Sequence, residues 1–115
     1  MEMREEPLGS ILRVVVSGRL TADCAENFKR FMDERLGHNN RIVLDLSEME
    51  YIDSTGLGAI VYVLQRISDS SGALKLAALQ SKPRVVFDIT KAYKIFDIYD
   101  TVEAARAAIE NGPAR

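Results

Sequence analysis

Apolar positions follow two periods along this chain, and each change of period marks a predicted element. Residues 11–16 are rich in β-branched side chains and run into Gly18, which reads as a strand closed by a turn. Ala25, Phe28, Met32 and Leu36 then recur at helical spacing. Asp23 and Glu26 are placed as a capping box before that helix, and Gly37 as its terminator. Residues 41–46 are a nearly continuous apolar run, the pattern of a strand covered on both faces and hence of the sheet centre. Leu57, Ile60, Val61, Leu64 and Ile67 build the next helical face, which starts at or just after Asp53-Ser54 and stops at Ser71-Gly72.

The second half repeats the alternation. Residues 73–79 form a further interior strand, and Ser81 and Pro83 open a short helix through Val85, Val86 and Ile89. A brief strand follows over residues 96–99. Asp100 or Thr101 caps a last helix carrying Val102, Ala105 and Ile109, which Gly112-Pro113 ends. Strands alternating with helices predict an α/β fold with a mainly parallel sheet and right-handed crossovers. Residues 1–7 are charged and end in Pro7, so they read as a flexible lead-in to a domain that starts near Leu8.

Composition narrows the function. The 115 residues and 47% hydrophobic content suit one domain. A net charge of -2 without a dense basic cluster argues against nucleic-acid binding. Cys24 is the only cysteine, which leaves no internal disulfide or cysteine-rich metal site. No apolar run reaches the length of a membrane span, and a cytoplasmic protein without membrane insertion is expected.

Candidate chemistry concentrates at Asp53-Ser54-Thr55-Gly56-Leu57-Gly58. Ser54 falls at a helix mouth, where unpaired amides and the positive end of the helix dipole would stabilise a phosphate. The plainer reading is that Asp53 and Ser54 only cap the helix. The glycines tilt the balance, since each costs about 1 kcal/mol in a helix relative to alanine and suggests that something approaches the backbone closely.

Catalysis by Ser54 would need a nearby base, and the one histidine, His38, precedes the strand at 41–46 and so projects from its far end, roughly 20 Å away. No phosphate-binding glycine loop is present. Asp23, Asp45 and Asp53 are a weak metal pattern and read as solvated loop acids and helix caps, so neither metal nor cofactor is expected. Tyr62, Val63 and Arg66 lie opposite the Leu57/Ile60/Leu64 stripe, either as a partner surface or as an extension of the buried arc.

The strand Ile42-Val43-Leu44-Asp45-Leu46, the loop through Met49 and Ile52, and the Asp-Ser-Thr-Gly-Leu-Gly run together resemble a STAS domain. More narrowly the chain is similar to the free-standing bacterial anti-anti-sigma factors, from about Leu8 to Ile109, including Gly18-Arg19-Leu20 and the segment from Tyr99 to Ala105. The resemblance implies one STAS-like domain over residues 8–112, with four to five mostly parallel strands and about four helices. It also implies phosphorylation of Ser54 by an anti-sigma factor with a histidine-kinase-like ATPase fold, and reversal by a PP2C-type serine phosphatase. The unphosphorylated form would then bind the anti-sigma factor through Asp53, Ser54, Thr55, Gly56 and Gly58 and release a sigma factor. It implies no catalytic activity for the protein itself. The alternative is an accessory STAS module of a stress-signalling scaffold or lipid-transport complex. Two departures stand out: Thr21 and Cys24 replace an aspartate and a threonine common in relatives, and Thr90-Lys91-Ala92-Tyr93 replaces a more usual Thr-Gly-Leu.

Overall fold

The computed structural model describes residues 1–112. Its elements are β1 (Glu2–Leu8), β2 (Ile11–Leu20), α1 (Ala25–Leu36), β3 (Arg41–Asp45), β4 (Met49–Ile52), α2 (Ser54–Asp69), β5 (Ala73–Ala77), α3 (Ser81–Ile89), a 3-10 turn (Ala92–Lys94), β6 (Ile98–Tyr99) and α4 (Val102–Asn111). The sheet runs β1-β2-β3-β5-β6, antiparallel at β1·β2 and parallel elsewhere. As the apolar run indicated, β3 is central.

Strand β2 organises the site. Its first half pairs with β3, from Leu12 opposite Ile42 to Val15 opposite Asp45. At Gly18 the backbone turns to φ 85°, the register shifts, and the last residues pair with β4, placing Leu20 opposite Ile52. A left-handed residue here favours glycine, because a Cβ strains that conformation. The bend carries the end of β2 to the chain that enters α2.

The period-two pattern sorts side chains between two cores. Leu12, Val14, Ile42, Leu44 and Leu76 face the layer of α1, α2 and α3, where Phe28, Met32, Ile60, Val63 and Phe87 complete the main core. Ile11, Val43 and Ala77 point to the other face, where Ala105 and Ile109 of α4 cover them.

Several expectations change. Residues 1–7 are not a loose lead-in: β1 pairs with β2 from Glu2 opposite Ser17 to Leu8 opposite Ile11, so the folded domain begins at β1. Charge density suits an edge strand, whose side chains stay in water while its backbone bonds inward. Glu5 and Glu6 also find Arg35 and Arg13, and Arg4 finds Glu48. The segment read as a loop through Met49 and Ile52 is the short strand β4; only Met49 and Ile52 of its four residues are buried, too brief an alternation to register. The capping box of α1 does not form: Cys24 is the N-cap without a side-chain bond, and Glu26 pairs with Lys29.

At the end of α2 it is Ser71, at φ 59°, that turns left-handed. Phe96 stays outside β6 and packs edge-on against Phe87, ring centres 5.9 Å apart. Thr101 rather than Asp100 caps α4, accepting from the Ala104 amide at 3.0 Å. Gly112 is its C-cap, and Pro113 lies outside the described residues.

Candidate functional site

Helix α2 begins where β4 ends, and Asp53 is its N-cap. Its carboxylate performs two tasks. Oδ1 accepts from the Gly56 amide at 2.7 Å, the side-chain bond of an N-cap, while Oδ2 accepts from the Ala22 amide in the β2–α1 turn at 3.0 Å. The Asp53 amide in turn donates to the Leu20 carbonyl at 3.2 Å, and the Leu57 amide to the Asp53 carbonyl at 2.9 Å. One residue therefore ties the mouth of α2 to the turn after β2.

Ser54 and Thr55 occupy the first turn with their side chains exposed. Their amides, like those of any first turn, have no intrahelical acceptor, and the helix dipole leaves partial positive charge there. Asp53 does not compete for these groups, because both its oxygens are engaged elsewhere. An anionic group on the Ser54 hydroxyl would lie over the helix mouth without displacing a bond that holds the fold.

The two glycines differ. Gly56 is buried, and a Cβ built on it would run into the Leu20 carbonyl, with the carbonyl carbon at 2.8 Å and Leu20 Cγ at 3.0 Å. The close approach inferred from the glycines is here an internal one, between α2 and β2, and Gly56 offers no side to a partner. Gly58 is exposed, and a Cβ there would meet nothing within 4 Å.

The β2–α1 turn, which Asp53 holds through Ala22, contains Thr21 and Cys24, the positions where the sequence departs from its relatives' pattern. Cys24 Sγ donates to the Arg19 carbonyl at 3.2 Å and accepts from the Thr21 amide at 3.4 Å, closing a tight loop under Ala22. His38 lies at the other end of the sheet: Leu12 pairs with Ile42 and Leu20 with Ile52, so β2 spans roughly 25 Å between the two ends. Ser54 has no base from that quarter.

Other expectations divide. Val63 is fully buried in the core, and Tyr62 and Arg66 turn toward α1, where the Tyr62 hydroxyl donates to Asp33 at 2.8 Å and Arg66 pairs with Asp33 at 2.6 Å. They fasten α1 to α2 instead of forming a free partner surface. Replacing Tyr62 with phenylalanine should lower stability by about 1 kcal/mol in denaturant unfolding, the usual worth of one such bond. Asp45 is neither solvated nor a loop acid: at 1% exposure it pairs with Arg13 (Nη2 at 2.7 Å, Nε at 3.0 Å) and accepts from the Ser47 amide at 2.9 Å. Among the described residues no three His, Cys, Asp or Glu side chains gather as metal ligands, and no helix is long and apolar enough to cross a membrane.

Comparison with known proteins agrees with this geometry. The family profile described as STAS domain matches residues 3–105. A Thermotoga maritima protein, provisionally named an anti-sigma factor antagonist, is 40% identical over 88 residues, covering 75% of this chain and 78% of its own length. The anti-sigma F factor antagonist of Paenibacillus polymyxa is 26% identical over 112 residues, 96% of each chain. A crystal structure of a Thermotoga maritima protein with the same provisional name superposes with a TM-score of 0.88 at 30% identity, covering 94% of both chains. A bent β2 that meets β4, a capping Asp53 and an exposed Ser54 at the head of α2 thus sit in a fold and sequence shared with these proteins: the chain belongs to the STAS domain family.

Proposed function

We propose that this protein is an anti-sigma factor antagonist with Ser54 as its switch. In its unmodified form it binds a cognate anti-sigma factor, a serine kinase of histidine-kinase-like ATPase fold, in the cytoplasm and frees a sigma factor. Phosphorylation of Ser54 ends that binding, and a PP2C-type phosphatase restores it. The protein turns over no substrate itself. The observation that carries this reading is the exposed Ser54 hydroxyl on a first helical turn whose frame, through Asp53, bonds inward to Gly56 and Ala22.

The physics follows from that placement. A phosphate adds about -1.5 to -2 charges, which the head of α2 tolerates within the protein while any acidic or closely packed partner surface does not. Losing 3 to 4 kcal/mol would weaken the complex by roughly two to three decades. Gly58 supports an approaching partner, because the open space above it gives no internal reason for lacking a side chain. Gly58→Ala should stabilise α2 by up to about 1 kcal/mol, and in the same variant calorimetric binding to the anti-sigma factor should weaken by roughly tenfold.

The test is intact-mass analysis after incubation with ATP and candidate histidine-kinase-like anti-sigma factors, with Ser54→Ala alongside. A single added phosphate that is absent from the variant, with binding lost on modification, is the expected result. If no candidate binds or modifies the folded protein, the accessory STAS module of a scaffold or lipid-transport complex becomes the better account.

A further inference from the structure

Helix α3 carries an outer face that the Ser54 reading does not use. Its inner face buries Pro83 and Phe87, yet Val85 is 51% and Ile89 76% exposed, and one helical turn apart they share a side. The chain after α3 adds Tyr93 at 47% and Ile95 at 54%. Single exposed apolar residues are ordinary, but all four of the exposed large hydrophobics among the described residues fall within residues 85–95.

Charge gives the patch a sign. Residues 81–97 carry Lys82, Arg84, Lys91 and Lys94 against Asp88 and Asp97, and Asp97 is already held by Lys75, so the stretch stays basic in a chain whose net charge is -2. Elsewhere Arg4, Arg13, Arg35 and Lys75 each hold a carboxylate, whereas Lys82, Lys91 and Lys94 pair with none among the described residues. Arg84, Tyr93, Phe96, Asp97, Ile98 and Tyr99 line a groove of about 370 Å³ that Tyr93 shares with the patch.

We propose that this face docks an acidic amphipathic helix of a protein partner. The partner's apolar stripe lies along Val85 and Ile89, one of its large side chains enters the groove at Tyr93, and its carboxylates meet Lys82, Lys91 and Lys94. A second copy of this chain fits less well, because a two-fold contact through the same face sets lysines against lysines. An anionic membrane would satisfy the lysines, but it has no side chain to place in the groove. The proposal is independent of Ser54.

The probe is a synthetic amphipathic peptide with leucine at i, i+3, i+4 and i+7 and glutamate elsewhere, titrated into isotope-labelled protein. Expected are amide shifts confined to residues 82–99, and affinity reduced by roughly tenfold or more in Ile89→Asp and in the Lys91→Glu/Lys94→Glu double variant. Ser54→Ala should bind unchanged, and added salt should weaken the complex. Ile89→Ser serves as a gentler variant should the aspartate perturb folding. The proposal fails if the peptide at about 1 mM leaves the spectrum unmoved, if shifts fall elsewhere, or if a lysine-for-glutamate peptide binds equally. It fails likewise if phosphatidylglycerol vesicles bind in an Ile89-dependent way while the peptide does not, or if sedimentation shows a dimer that Ile89→Asp dissolves.

Discussion

Alanine at Gly56 should lower the unfolding free energy by about 3 kcal/mol or more, measured in denaturant. The added methyl meets the Leu20 carbonyl, a backbone group at a strand end, and not a flexible side chain that could swing away. Leu20 is also fixed from two directions, by its pairing with Ile52 and by its carbonyl's bond from the Asp53 amide. Relief therefore requires the first turn of α2 to move off β2, which stretches the Asp53 bonds to Gly56 and Ala22. Stability and Ser54 presentation should fall together. The contrast with Gly58→Ala, two residues on and in open space, is the internal control: equal effects at both positions would contradict the packing of α2 on β2.

The second large effect concerns Asp45. Replacing it with asparagine should cost about 3 kcal/mol, the lower end for breaking a buried ion pair, because Arg13 is partly solvated and keeps Glu6. Glu6→Gln, at the exposed end of the same arginine, should cost well under about 1 kcal/mol.

The pH dependence has a definite sign. Burial pushes the Asp45 pKa upward, but the Ser47 amide and the Arg13 guanidinium outweigh it and hold the value below the ordinary carboxylate range. A carboxylate with a lowered folded pKa contributes its full stabilisation above the unfolded value of about 3.9. That contribution is lost as pH falls through the folded value. Acid unfolding of the wild type should therefore steepen below about pH 4, and Asp45→Asn should remove this part of the slope. An unchanged acid profile in the variant would show that Asp45 does not carry the charge assigned to it.

Much of the site was legible from spacing. The apolar stripe Leu57, Ile60 and Ile67 placed the start of α2 within a residue, because helical period and a capping aspartate are local properties of the chain. The same locality put Ser54 at the helix mouth and His38 at the opposite end of the sheet. The alternation of residues 73–79 and the nearly continuous apolar run of 41–46 identified the interior strands β5 and β3.

What escaped was set by distant partners. Strand β1 is charged and resembles a tail; it becomes a strand only because β2 offers a free edge and Arg13 and Arg35 offer counterions. Asp45 resembles a loop acid until Arg13, 32 residues away in sequence, lies beside it on the neighbouring strand β2. Val63 reads equally as surface or core until the main core encloses it, and Tyr62 gains its role from Asp33. The glycines of the motif look alike in sequence, yet Leu20 sits against one and nothing sits against the other.

The sequence by itself determined the four helices, the strands β2, β3, β5 and β6, their order, the mainly parallel α/β class and the serine at the head of a helix, because these rest on contacts within a few residues. Tertiary structure alone decided that β2 bends at Gly18 to reach β4, that Asp53 joins α2 to the β2–α1 turn, and that Val85 and Ile89 of α3 face outward. Those outcomes depend on which surfaces meet after the chain closes on itself, and the local period of hydrophobicity carries no record of that meeting.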